Sequence, residues 1–282
     1  MADEPRVREL WRDGVLVDGP DALSWLQGQV SQDLEGLAEG GSRLTLVLSP
    51  QGKIESFCRV TRLGHEAVLL DVEAGYGEQL HERLARFKLR VKSTLAPVGV
   101  LATERAGAGY DSLGPPRVSA AVEVGDETGG SAEEDERFEA ARIAAGVPRL
   151  GRELTEATIP HEAGEVFIER TVSFTKGCYT GQELVARLDA RGAKVPRRLR
   201  LVRAADAGGG LARPGDRLVA AGEEVGALTS VARDGEGGLV ALAFVKRAHV
   251  RDEPVEAELA TGAGVLLATI LPLPAAPPAP GG

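Results

Sequence analysis

The sequence predicts an α+β chain that finishes in a small all-β unit, and three observations predict it. The order strand, strand, helix, strand over residues 44–100 fits an antiparallel sheet backed by helices. Beyond Pro196 the texture changes to six short β-rich runs punctuated by Gly and Pro, the pattern of a barrel or a sandwich. At 282 residues, with 43% apolar and 27% charged residues, the chain has room for about two domains, or three small ones.

Taken in order, Asp21 is placed to cap a helix whose apolar residues Leu23, Leu26, Val30 and Leu34 recur at helical spacing. Residues 44–48 read as a buried strand ending at the turn Ser49-Pro50-Gln51-Gly52. Strand-like runs follow at 54–61 and 67–72, then a helix at 76–87 with Leu80, Leu84 and Phe87 along one stripe. Residues 91–100 return to extended chain. Residues 123–137, acidic and glycine-containing, read as a surface loop leading into a helix at about 133–145, whose early acids suit a helix N-terminus. The late β runs are 199–202, 217–220, 224–231, 238–244, 255–259 and 265–271. Glycines 208–210 are a turn rather than a phosphate loop, because no Lys-Ser/Thr and no helix follow them.

The most informative stretch is Lys176-Gly177-Cys178-Tyr179-Thr180-Gly181-Gln182-Glu183, which carries one of only two cysteines. Residues 171–175 alternate polar and apolar side chains and read as a short strand. Thr180 and Glu183 have the spacing of a capping box, with Leu184, Val185 and Leu188 as the apolar face of the helix and Gly192 as its stop. Cys178 is therefore expected at the entrance of a helix with Lys176 beside it, where positive potential favours thiolate over thiol. Cys58, inside the apolar run 56–60, is expected to be a small buried hydrophobe.

This octapeptide, continued by Val185-Ala186-Arg187 and Arg191-Gly192, resembles the signature of the YgfZ family. These folate-binding-like proteins are related to the glycine-cleavage T-protein (aminomethyltransferase) and to mitochondrial iron–sulfur assembly factors. Leu26-Gln27-Gly28-Gln29-Val30-Ser31-Gln32-Asp33, Ser49-Pro50-Gln51-Gly52-Lys53-Ile54 and Phe87-Lys88-Leu89-Arg90-Val91-Lys92 are similar to further family motifs. Ala145-Gly146-Val147-Pro148, Pro160-His161-Glu162-Ala163-Gly164 and Val225-Gly226-Ala227-Leu228-Thr229-Ser230 follow in the family's order. The resemblance implies a T-protein-like architecture, with two antiparallel α+β units around a central channel and a C-terminal β barrel. It implies a folate-binding-like α+β region at 1–195 made of two interleaved subdomains, the second approximately 45–118. The barrel would occupy 196–273, and a disordered Pro-rich tail 274–282.

Two positions depart from the T-protein pattern. Ser56-Phe57 stands where that protein has an acidic pair, with Glu55 one position early, and a Phe cannot stabilise a developing cation. Ala144 stands where an acidic residue would recognise the pterin, which weakens the expectation of tetrahydrofolate. Aminomethyl transfer by that mechanism is therefore not expected. A folate-dependent one-carbon transferase stays as the alternative, with Glu55 replacing the pair if a register shift turns it inward. A third reading is an interaction scaffold with a vestigial channel.

Composition excludes several classes. Two cysteines and four scattered histidines supply neither a zinc site of common spacing nor the four thiolates typical of an iron–sulfur cluster, so no permanently bound metal is expected. The hydrophilic start reads as neither signal nor transit peptide, and low cysteine use suits a reducing cytosol. The uncharged stretch after Thr261 has only seven residues of apolar core before five prolines, against the ~20 that a span needs, so no membrane partner is expected. A net charge of −9 argues against direct nucleic-acid binding, although residues 187–203 carry seven bases against Asp189.

The expectation for function follows from the resemblance: a cytosolic accessory protein supporting maturation or repair of iron–sulfur proteins, and thereby tRNA modification. Cys178 would be the acting thiol and Lys176 its support. Tyr179, Gln182 and Glu183 would shape a channel mouth, Gln27 and Gln29 would line it, and Arg187 would hold an anionic tail of a folate-type ligand. Glu162 and Arg149 are further candidates. The expected partners are iron–sulfur proteins or their assembly machinery.

Overall fold

A computed structural model describes residues 6–119, 131–205, 212–235 and 237–275. The element order is β1 (Val7–Asp18), α1 (Ala22–Gln27), β2 (Ser42–Leu48), β3 (Ile54–Arg62), β4 (Ala67–Glu73), α2 (Gly77–Arg86), β5 (Thr94–Arg105), β6 (Arg117–Ser119), α3 (Ala132–Ala144), α4 (Glu165–Thr171) and α5 (Gln182–Ala190). Then follow β7 (Arg197–Ala205), β8 (Arg217–Ala220), β9 (Glu223–Arg233), β10 (Gly238–Lys246), β11 (Val255–Thr261) and β12 (Gly264–Leu271). No helix among the described residues is long and apolar enough to cross a membrane.

The first six strands form one antiparallel sheet in the order β2-β3-β4-β1-β5-β6, and the last six close a barrel in the order β10-β7-β12-β11-β8-β9. The mixed α/β character and the C-terminal barrel agree with the sequence reading. Closure leaves no unpaired edge on the barrel. Strand β1, which the sequence reading passed over, lies inside the sheet, pairing Asp13 with Val72 of β4 and with Gly99 of β5. Its charged first half, Arg8, Glu9, Arg12 and Asp13, masks the alternation that marks a strand.

Val15, Val17, Val60, Leu70 and Val72 share one face of the sheet and belong to the main core, together with Leu46 and Leu48 of β2, Leu80 and Leu84 of α2, Phe167 of α4, Val185 of α5 and Tyr179. Helix α3 straddles two environments: Ile143 packs on barrel residues Leu199, Val240, Leu242 and Phe244, while Phe138, Glu139 and Arg142 line a cavity. The chain after β12 returns to this junction. Leu273 joins the same cluster, and a Cβ at Gly146 would lie 3.1 Å from Pro274. Pro274, which the sequence reading placed in a disordered tail, is thus packed against the fold; residues 276–282, the loop over 120–130 and glycines 208–210 lie outside the described residues.

Four local expectations are revised. The helix foreseen over 22–34 stops at Gln27, because the carbonyls of Gln27, Val30 and Gln32 accept from the Lys176 ammonium instead of from helical N–H groups. Asp21 occupies the N-cap of α1 as expected, but its side chain accepts no cap hydrogen bond; its carboxylate accepts from the Lys92 N–H instead. Residues 171–175 are not a strand, since Thr171 ends α4 and Ser173 donates its N–H to the Ser31 carbonyl. The cap of α5 is Gly181 at φ +83°, not Thr180, and no side chain caps it. Gly181 is required by closeness as well as by φ: a Cβ there would lie 2.5 Å from the Ser49 carbonyl oxygen and 2.7 Å from Leu48.

Gly181→Ala is expected to destabilise the fold by about 3 kcal/mol, from left-handed strain plus overpacking. Gly192→Ala, at φ +70° with nothing within 4 Å of the added carbon, should cost only about 1 kcal/mol. Urea unfolding of the two variants measures the difference, which isolates the contact with the Ser49 turn.

Candidate functional site

Three sequence motifs far apart in the chain meet at one place. Lys176 buries its ammonium on the backbone oxygens of Gln27, Val30 and Gln32, at 2.7, 2.8 and 2.8 Å. Thr180 donates its N–H to the Gly28 carbonyl, and the Ser31 hydroxyl donates to the Thr171 carbonyl at 2.6 Å. On the other side Gly181 and Gly52 pack backbone to backbone. Residues 27–32, 49–53 and 171–183 are thus sewn into one unit.

Within that unit the predicted residues take unequal roles. Cys178 is exposed, and it is the only exposed cysteine of the two. Cys58 is buried on β3, and burial first of all, with the charge of Asp71, pushes its thiol up to about 12. Lys176 does not stand free beside the thiol: its three donors are spent on carbonyls, which leaves none for an anionic ligand. Burial pulls its ammonium down to about 8, against the opposing charges of Asp33 and Glu35, so it is still protonated at neutral pH. Tyr179 is a core residue whose hydroxyl burial pushes up to about 12, with the Lys176 ammonium 5.2 Å from its ring centroid.

Gln27 is structural too, donating to Asp33 at 2.7 Å and accepting from the Leu34 N–H at 2.8 Å. Gln29 keeps a buried Oε1 without a partner. Gln182 and Glu183 form the first turn of α5, and Arg187 is exposed on its second. Of the basic run, Arg197 pairs with Glu162 and Arg198 with Glu165, while Arg200 is buried. Arg187, Arg191 and Lys194 have no ion-pair partner among the described residues.

None of Gln27, Gln29, Lys176, Cys178, Tyr179, Gln182, Glu183 and Arg187 lines the cavity under α3. That cavity, of about 640 Å³, lies over the other face of the sheet, beneath α3 and against Val231 and Ala232 of the barrel. Its floor is a buried triad: Asp71, fully buried, accepts from Arg12 Nε at 2.6 Å and from Arg59 Nε at 2.7 Å. Arg59 also donates to the Gly114 carbonyl, yet its Nη2 has no partner. Glu73 stands beside them with its carboxyl pushed up by burial, against the pull of Arg149 and Arg12.

The roof is a second charge network. Arg142, Arg149 and Arg152 converge on Glu139 at 2.7, 3.2 and 2.8 Å. Burial works to raise Glu139, but the hydrogen bonds and charge of Arg142, helped by Arg149 and Arg152, hold it at about 2. Phe57, Tyr110 and Trp11 supply aromatic wall. Sequence reasoning reached Arg149 only weakly and missed Arg12, Arg59, Asp71 and Glu73. The available signal was a charge at inward positions of otherwise apolar strands.

The positions that depart from the T-protein pattern are explained. A β-bulge opposite Val47 and Leu48 inserts Glu55 as an extra residue in β3. Its carboxylate is turned to Arg83 of α2 and does not line the cavity, so the register shift does not bring it inward. Phe57 takes the wall position, edge-on to Phe167 at 5.3 Å. Ala144 packs in the apolar junction with the barrel rather than on the cavity.

No family model matches the chain. It is 30% identical over 192 residues to an uncharacterized protein of Haemophilus influenzae, covering 63% of this chain and 66% of that one. The tRNA-modifying protein YgfZ of Pectobacterium atrosepticum is 27% identical over 222 residues, 65% of each chain. The mitochondrial iron–sulfur cluster assembly factor IBA57 homolog of Neurospora crassa is 26% identical over 214 residues, 63% of this chain and 49% of that protein. The chain thus matches between half and just under two thirds of the length of these relatives. Among solved structures, the glycine cleavage system aminomethyltransferase T of Bartonella henselae superposes with a TM-score of 0.68 at 16% identity, covering 96% of this chain and 87% of that one, which is a likeness of fold.

Two measurements test this geometry. Lys176→Met should cost about 3 kcal/mol or more, because three buried carbonyls lose their donor, and it should speed hydrogen exchange over residues 27–32 before the rest of the sheet. Glu139, ordinarily near 4.5 and held at about 2, contributes stability that is full above pH 4.5 and lost as pH falls through 2. Glu139→Gln should therefore cost about 3 kcal/mol at pH 7, with a gap to the parent chain that narrows as the pH falls from 4.5 towards 2, read by chemical unfolding at each pH.

Proposed function

We propose that this homologue of the YgfZ and IBA57 proteins, built on the aminomethyltransferase fold, is a cytosolic accessory factor for the maturation or repair of iron–sulfur proteins, and through them for tRNA modification. Cys178 is its acting residue, engaging a cluster, a persulfide or a partner thiol. The observation that carries this reading is the contrast between the two thiols: Cys178 is exposed on a turn pinned by Lys176, whereas Cys58 is sealed. A thiol held on a rigid turn reaches an incoming partner without first paying for loop ordering. The names of the relatives, tRNA-modifying protein and iron–sulfur cluster assembly factor, support the pathway.

The cavity is the place for a folate-type ligand. Its size suits a molecule of that class, in the range of about 300–1,000 Å³. Phe57, Tyr110 and Trp11 offer flat faces for a ring system, the unpaired Arg59 Nη2 offers a donor, and the Glu73 carboxyl offers an acceptor. Tetrahydrofolate, when bound, supplies a carrier of one-carbon units. The enzyme alternative lacks its key residue, since Glu55 is engaged by Arg83.

Cys178→Ala is expected to fold with stability within about 0.5 kcal/mol of the parent and to fail to restore iron–sulfur enzyme activity and tRNA modification in a bacterial strain deleted for its YgfZ protein. Full restoration by that variant would overturn the role of the thiol.

A further inference from the structure

The loop after α2 is unlike the rest of the surface. Arg86, Lys88, Arg90 and Lys92 put four positive charges and no acid into seven residues of a chain whose net charge is −9. None of the four side chains has a partner among the described residues. Between them Leu89 is 81% exposed and Phe87 37% exposed. An exposed aliphatic side chain ringed by unpaired cations has no function in the fold itself.

The loop is held in this shape. Arg83, anchored by Glu55 and by the Leu48 carbonyl, stacks its guanidinium 3.9 Å from the centroid of the Phe87 ring. Trp25 of α1 donates its indole N–H to the Phe87 carbonyl, and the Lys92 N–H is fixed on Asp21 at 2.7 Å. Arg90 sits at φ +58°, a left-handed conformation that a residue with a Cβ adopts only at a cost. Strain at an exposed, tethered tip points to a use outside the fold.

Its location links it to the thiol. Trp25 touches the loop, and within the next turn of the same chain Gln27 and Gly28 give their carbonyls to Lys176 and Thr180 of the Cys178 turn. Cys178 is exposed and does not line the cavity under α3, so a macromolecule has open access to its sulfur. We infer that loop 86–92 is the docking surface for an acidic partner protein, whose apolar recess receives Leu89 and whose acids face the four bases, and which brings its sulfur or cluster to Cys178. This rests on the reading of Cys178 given above. A protein fits better than RNA: Leu89 offers a plug for a pocket and no ring to stack on a base, and the acidity of the whole chain opposes a polyanion.

The test uses the full chain in the same deletion strain. Leu89→Asp and the double change Lys88→Glu with Arg90→Glu should each restore less than a tenth of the iron–sulfur enzyme activity, with unaltered thermal midpoints. Lys88→Arg with Arg90→Lys should restore it fully. Restoration by Leu89→Asp and by the charge reversal would overturn the docking surface whatever Cys178→Ala does, so the two readings fail separately. Bulk tRNA and phosphatidylserine vesicles are the remaining probes, at 150 mM salt. Binding of either by the parent chain that the charge reversal abolishes would overturn the protein partner. Absence of such binding, together with lost restoration, is the result expected.

Discussion

The ammonium of Lys176 is the contact on which the arrangement of this molecule's thiol depends. A buried amine is costly to desolvate, and here three backbone oxygens offset that cost. The same bond set has a structural consequence at the other end. Carbonyls 27, 30 and 32 are turned away from helical pairing, so α1 ends at Gln27 and Val30 is free to bridge to Val47 of β2. One side chain therefore decides the path of the Gln27–Gln32 segment and the height at which Cys178 stands above it. The paired glycines 52 and 181 complete the unit, because no larger residue lets the Ser49 turn and the start of α5 approach so closely.

The thiol and the cavity are separate places. The cysteine that does touch the cavity, Cys58, is held protonated by burial, and the exposed one lies outside the lining. A ligand under α3 can bear on Cys178 only through the packed core that Tyr179 and Val185 share with β2 and β3. This division also separates the two enzymatic expectations: Phe57 occupies the wall where a carboxylate would be needed, and the bulge that carries Glu55 away is written into the strand pairing.

Much of the fold was legible, and the gaps have physical causes. The six barrel strands and β2, β3, β4, α2 and α3 follow from short-range periodicity, which is local information. β1 was hidden because its inward positions carry Arg8 and Arg12, charges that only a polar cavity makes tolerable. The helix at 22–34 was misread because Lys176 competes for the backbone from some 145 residues away, and the strand at 171–175 because Thr171 closes α4 and the Ser173 N–H is taken by the Ser31 carbonyl. Cys178 was singled out by its flanking glycines and its motif, and it is exposed as that reading expected. Lys176 was expected to support the thiol by its charge, whereas its ammonium donates to three carbonyls.

The charges of this protein divide into two kinds, and the division itself argues for where partners bind. Around the cavity the guanidinium groups of the floor and roof share carboxylates: Arg12 and Arg59 share Asp71, and Arg142, Arg149 and Arg152 share Glu139. Buried pairs of this sort add little net stability, since desolvation cancels much of their attraction. What they give is a wall of fixed shape and nearly neutral charge, suited to a neutral ring system with few polar groups. On the surface beside α1 the cations are unpaired and solvated, so binding an acidic surface there costs little desolvation and gains long-range attraction. In the proposed docking, a chain that is acidic overall yet keeps such a patch, joined through Trp25 to the segment that holds the Cys178 turn, attracts an acidic protein before any short-range contact forms.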